Sequence, residues 1–218
     1  MSFTPRSQSE IAQAVASDIQ EGWYVNLGIG LPTQIANFLP EDEDYFLHSE
    51  NGLLGMGAAP AEIEEDEDLI NAGKQYVTLL RGGSYFHHAD SFAMMRGGHI
   101  DLCVLGAYQV AANGDLANWS TGKEGAIPAV GGAMDLAVGA KKVYVMMTHQ
   151  TKKGYPKIVK SLSFPVTGLG CIDRIYTEYA TIDVTDEGLK VIDMIEGMTF
   201  DELQAITDSP LSLAQRTS

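Results

Sequence analysis

Trp23-Tyr24-Val25-Asn26-Leu27-Gly28-Ile29-Gly30-Leu31-Pro32-Thr33 is the stretch on which the fold turns. Residues 23–27 favour an extended chain, and the glycines at 28 and 30 break it. Pro32 then suits the start of a helix running through Ile35, Phe38 and Leu39. A further apolar run, Tyr45-Phe46-Leu47-His48, follows. Strand, glycine turn, helix, strand is the rhythm of a βαβ unit, which sets its two strands side by side and parallel.

The same alternation extends in both directions. Upstream, Ser7-Gln8-Ser9-Glu10 reads as a capping box, and Ile11, Val15 and Ile19 give one apolar face to a helix ending near Gly22. Downstream, buried strands are predicted at 77–80, 102–105, 143–147 and 174–184, and a helix from Met134. Asp186-Glu187-Gly188 reads as a turn into 189–195, and Thr199-Phe200-Asp201-Glu202 caps a terminal helix with Leu203 and Ile206 inward. The pattern predicts an α/β fold: an open, largely parallel sheet flanked by helices. With no internal repeat and no dividing linker, residues 1–218 read as a single domain.

Composition narrows the function. A chain of 218 residues that is 45% hydrophobic can bury a real core. The net charge of −15 argues against a nucleic-acid partner, since phosphate-backbone binding needs clustered Lys and Arg. Cys103 and Cys171 stand in apolar surroundings and read as reduced, buried thiols. The first eight residues lack an apolar signal stretch, and no segment approaches the ~20 apolar residues of a membrane span, so the expected location is the cytoplasm. No metal is expected. The acidic stretches 41–44 and 62–68 lack the spacing of a calcium loop, and His87-His88 would point to different sides of an extended chain. Met94-Met95 and Met146-Met147 read as core filler.

The chemistry concentrates in Leu47-His48-Ser49-Glu50-Asn51-Gly52-Leu53-Leu54-Gly55. Glu50 sits at the end of an apolar run with neutral neighbours and glycines after it. A carboxylate with a reference pKa near ~4.3 is ionised at neutral pH, so it can attack an activated acyl group without an adjacent base. The tetrahedral oxyanion so formed needs N–H donors, and glycine turns supply them. Two candidates are Asn51-Gly52 and Gly131-Gly132-Ala133.

These residues resemble the active-site signature of the family I coenzyme A transferases. Asn26-Leu27-Gly28-Ile29-Gly30, Asn71-Ala72-Gly73-Lys74, Ser91-Phe92-Ala93-Met94, Arg96-Gly97-Gly98-His99 and Gly131-Gly132-Ala133-Met134-Asp135 are similar to the B subunit of that family, from about Glu10 to about Leu211. The resemblance implies that Glu50 becomes a glutamyl-CoA thioester, that Gly132 and Ala133 contact the thioester carbonyl, and that Asn26 and Lys74 line the site. Lys74 would hold a carboxylate or coenzyme A group. Gly28 and Gly30 belong to the same lining stretch, which lacks the third glycine of a dinucleotide fingerprint.

No cofactor is permanently bound in this reading; the coenzyme A thioester is a substrate. The family's glycine-glycine-phenylalanine loop is absent here, which implies a partner A subunit and an A2B2 heterotetramer exchanging CoA between succinyl-CoA and a 3-oxo acid. His48, Phe86-His87-His88-Ala89-Asp90, Asn118-Trp119, Thr121-Gly122 and Ile127-Pro128-Ala129-Val130 look most like the 3-oxoadipate members of aromatic degradation; acetoacetate transferase is the alternative. The group that holds the distal carboxylate would then be His48, His87 or His88, or one supplied by the A subunit. From other classes, a sugar-phosphate isomerase on a related scaffold and a non-catalytic ligand sensor stay open.

Overall fold

The computed structural model describes residues 3–40, 44–122, 125 and 131–214; the 127–130 stretch and residues 41–43 noted above lie outside them. In chain order the strands are β1 (Tyr24–Leu27), β2 (Phe46–Ser49), β3 (Leu53–Met56), β4 (Leu79–Tyr85), β5 (Leu102–Leu105), β6 (Gln109–Ala111) and β7 (Leu116–Ala117). They continue as β8 (Lys142–Met146), β9 (Ile158–Val159), β10 (Arg174–Tyr176), β11 (Ala180–Thr185), β12 (Gly188–Met194) and β13 (Leu211–Leu213). The α-helices are α1 (Gln8–Ala16), α2 (His88–Arg96), α3 (Ala133–Gly139) and α4 (Phe200–Ala205).

One ten-stranded sheet has the order β13-β12-β11-β10-β8-β5-β1-β2-β3-β4, and a small sheet has the order β7-β6-β9. The centre of the large sheet, β10-β8-β5-β1-β2, is parallel throughout. Antiparallel pairs extend it at both ends, β2-β3-β4 on one side and β10-β11-β12 on the other. From β1 the chain steps one way to β2 and later returns on the other side to β5. That reversal is a topological switch point, where the carboxyl ends of neighbouring strands splay and leave a crevice.

Strand alternation distributes the core over both faces of the sheet. Val25, Leu47, Leu102, Val104, Tyr144 and Met146 pack with α1 and the 3-10 helix Leu31–Phe38. Cys103, Leu105, Val143, Val145 and Ile175 face the other way, with Met95 of α2 and Leu136 of α3. Gly139 at the end of α3 lies so close to α2 that a Cβ there would meet the Met95 carbonyl oxygen at 2.2 Å. Among the described residues no helix is long and apolar enough to cross a membrane.

Both predicted capping boxes form: the Glu10 N–H donates to Ser7 Oγ at 3.2 Å and the Glu202 N–H to Thr199 Oγ1 at 3.3 Å. Other elements depart from the sequence pattern for physical reasons. α1 stops at Ala16, where Asp18 and Ile19 donate to residues three back and tighten the chain, although Ile19 is still buried. The element after Pro32 is 3-10 rather than α; it has no side-chain cap, and Gly30 precedes it at φ 94. The expected strand at 174–184 is a hairpin, because Thr177 Oγ1 accepts from the Ala180 N–H and turns the chain. The edge strand runs over polar residues 81–84, beyond the apolar 77–80.

Candidate active site

At the switch point a cavity of about 440 Å³ opens among Asn26, Leu27 and Gly28 of the β1 end, Ser49 and Glu50 of the β2 end, and residues 105–108 of the β5 end. Gly131, Gly132 and Ala133, leading into α3, form its opposite wall. Gly28 must be glycine because a Cβ would sit 2.9 Å from the Val104 carbonyl oxygen, to which the Gly28 N–H already donates at 2.8 Å.

Glu50 is the first residue beyond β2 and is half-buried. Burial raises its pKa above the usual carboxylate value, opposed by the His88 charge and by the Gly132 N–H, which donates to the carboxylate; the Asp135 charge adds to the rise. Gly132 packs so tightly that a Cβ on it would lie 2.0 Å from Glu50 Oε2. A desolvated carboxylate with a backbone donor on it, facing a cavity, is equipped to attack an acyl carbon or to move a proton.

The two glycine turns named from the sequence have different jobs. Gly131, Gly132 and Ala133 all line the cavity. The Gly52 N–H instead donates to Ser49 O at 3.0 Å, closing the turn behind the nucleophile, so it is not an oxyanion donor in this structure. Asn51 also looks away from the reacting atoms: its Nδ2 donates to Ile70 O at 2.8 Å. Together with the bond from the Ala72 N–H to Ser49 Oγ at 3.0 Å, it holds the 70–74 loop against the Glu50 turn. Lys74 on that loop is exposed and has φ 62, the one positive φ of a non-glycine residue among the described residues. Gly30, at φ 94, is the cap residue before the 3-10 helix and is not among the residues that line the cavity.

The histidines were the least readable part of the sequence. His48 is buried, with Nδ1 3.0 Å from Asn26 Nδ2 and Nε2 2.9 Å from Ser91 Oγ. Burial drives its pKa down to about 4, so it is neutral, and with both ring nitrogens engaged it is not free to hold a substrate carboxylate. His87 and His88 do not share one extended chain: His87 is extended, but His88 opens α2, which His87 caps through Nδ1, accepting from the Ala89 N–H at 3.1 Å. His88 packs on Phe92 at 4.7 Å between ring centroids. Sequence reasoning missed Tyr108 as a lining residue; Ser49 and Asn118 it quoted only within motifs. Cys103 is buried as expected, and burial together with the Glu50 charge raises its pKa well above that of an ordinary thiol; Cys171 is partly buried.

Residues 8–205 match the family model described as Coenzyme A transferase. The chain is 66% identical to the B subunit of the 3-oxoadipate CoA-transferase of Acinetobacter baylyi, covering 97% of each chain. It is 48% identical to the B subunit of the succinyl-CoA:3-ketoacid coenzyme A transferase of Helicobacter pylori, over 91% of this chain and 95% of that one. Among solved structures, an acyl-CoA transferase of Escherichia coli O157:H7 superposes with a TM-score of 0.75 at 18% identity, a likeness of fold. This chain covers 43% of that longer one, with 98% of its own length matched.

Proposed function

The chain belongs to the coenzyme A transferase family, and from that premise we propose that it is the B subunit of a 3-oxoadipate CoA-transferase, with Glu50 as the nucleophile. The supporting observation is the Glu50 carboxylate, desolvated and held by the Gly132 N–H, at the mouth of the switch-point cavity. Glu50 attacks the thioester carbonyl of succinyl-CoA and expels CoA thiolate, leaving a succinyl–glutamyl anhydride. The thiolate attacks the glutamyl carbonyl, releases succinate and leaves glutamyl-CoA. The carboxylate of 3-oxoadipate then attacks that thioester, and thiolate attack on the new anhydride yields 3-oxoadipyl-CoA and free Glu50. Each step exchanges one activated acyl bond for another, so no ATP is consumed.

Gly132 N–H stabilises the oxyanion formed on the Glu50 carbonyl, a contribution of about 3–4 kcal/mol for a preorganised donor. Lys74, exposed on the 70–74 loop whose Ala72 lines the cavity, and without a carboxylate partner among the described residues, is the cation assigned to an anionic group of the substrate. A partner A subunit closes the open side of the cavity, in an A2B2 assembly; the B-subunit relatives of matching length support this. The isomerase and sensor readings give way to family membership.

Incubating the reconstituted complex with succinyl-CoA, then borohydride or hydroxylamine, modifies Glu50 alone if the thioester forms there; an unmodified Glu50 refutes the mechanism. Turnover of 3-oxoadipate should exceed that of acetoacetate, and the reverse preference would assign the chain to the 3-ketoacid branch. The raised Glu50 pKa has a definite sign in the rate profile. The attacking form is the carboxylate, so kcat/KM falls as pH drops through a pKa above the ordinary carboxylate value. His88→Asn removes a charge that lowers this pKa, and the acid limb should move to higher pH. A limb that stays in place would show that His88 does not act on Glu50.

A further inference from the structure

Behind the cavity lies a buried polar chain, Asn26 (3% exposed), His48 (1%) and Ser91 (0%), that the reaction above does not use. Its hydrogen bonds fix one orientation. The His48 carbonyl can only accept, so the Asn26 side-chain atom 3.2 Å from it is the amide nitrogen. That same nitrogen lies 3.0 Å from His48 Nδ1, which must therefore carry no proton. The ring proton sits on Nε2 and is donated to Ser91 Oγ. Phe86 stacks on the imidazole with ring centroids 6.0 Å apart and planes 18° from parallel, so the ring is held on its face as well as at both nitrogens.

The other end of the amide is then determined. Asn26 Oδ1 has no hydrogen bond among the described residues, yet Ser209 Oγ is the buried side-chain polar atom that lacks both partner and solvent. Asn26 lines the cavity, and with Nδ2 turned to His48 the side-chain polar atom left to face it is Oδ1. The groups of a succinyl donor and a 3-oxo acid near the reacting carbon are carboxylates and ketones, all acceptors. The donor closest to the thioester sulfur is the secondary amide N–H of the pantetheine arm.

We propose that His48 is a positioning residue that locks Asn26 with Oδ1 facing the cavity, and that Oδ1 accepts a hydrogen bond from the pantetheine amide N–H of the acyl-CoA. An acceptor there repels the carboxylates of the acids and marks the β1 side of the cavity as the coenzyme A side. The inference rests on the CoA-transferase reading of the site.

The test compares two minimal donors in the reconstituted complex: S-succinyl-N-acetylcysteamine, which carries the amide N–H, and its counterpart with an ester oxygen in place of that N–H. The wild type should favour the amide about five- to tenfold in kcat/KM. Asn26→Ala and His48→Leu should bring the ratio near one. His48→Gln, which offers an acceptor to Asn26 and a donor to Ser91, should restore it. A wild-type ratio near one, or an unchanged ratio in Asn26→Ala, overturns the hydrogen bond; an unchanged ratio in folded His48→Leu overturns the positioning role. If His48→Leu does not fold, Asn26→Ala and His48→Gln still decide. Glu50 labelling followed in parallel separates the outcomes: a thioester on Glu50 without amide preference defeats this inference alone.

Discussion

Glu50→Ala should abolish CoA exchange, lowering kcat by about 10⁴-fold or more, as loss of a covalent nucleophile does. Among the described residues lining the cavity, the titratable side chains are the Tyr108 phenol and the Glu50 carboxylate, so none of them is a second nucleophile of the same kind. The fold should survive. Glu50 is half-buried beyond the end of β2, and its removal leaves the Gly132 N–H without a partner but facing a cavity that admits water. The expected record is a far-ultraviolet spectrum and melting temperature close to wild type, no mass adduct after succinyl-CoA, and no exchange. Substantial residual transfer in a well-folded Glu50→Ala complex would remove Glu50 from the mechanism.

Gly132→Ala should cost about 10²–10³-fold in kcat/KM with little loss of stability. The backbone at Gly132, φ −79 and ψ 2, is open to alanine. The obstacle is the nucleophile itself: the new Cβ would stand 2.0 Å from Oε2 and 3.0 Å from Cδ of Glu50. The carboxylate must swing away and lose both its donor and its aim. Gly52→Ala, on the other side of the same carboxylate, should fail in the opposite way. Its φ of 112 and a Cβ 2.2 Å from the Phe86 carbonyl oxygen predict about 2–4 kcal/mol of lost stability. Urea unfolding and steady-state kinetics on the two variants separate the roles; a Gly132→Ala enzyme with normal kcat/KM would contradict the packing.

That contrast marks the limit of what could be read from residues alone. Ser7 with Glu10 and Thr199 with Glu202 were readable because both partners lie within one turn. The strand at 102–105, apolar throughout, was readable because it is buried on both faces. β4 was misplaced because an edge strand is held by backbone hydrogen bonds and needs no apolar residues. The two-residue strands β7 and β9 carry no pattern at all. At the site, the Glu50 signature and the 131–133 turn were found, but which glycine donates to the carboxylate depends on the placement of α3. His48 seemed available to substrate because its partners, Asn26 and Ser91, are 22 and 43 residues away in sequence.

The cavity stands just past the ends of β1, β2 and β5, whereas the fully buried Val25, Leu102 and Val104 lie inside those strands. The reacting carboxylate at Glu50 and the glycines at 28, 131 and 132 therefore lie outside the stretches that carry most of the core. Substitutions at Ile29 or Tyr108, 64% and 40% exposed, reshape the pocket while leaving the sheet intact, and surface changes of this kind cost within about 0.5 kcal/mol. A lineage with this scaffold can drift between acids one loop residue at a time without passing through an unfolded ancestor.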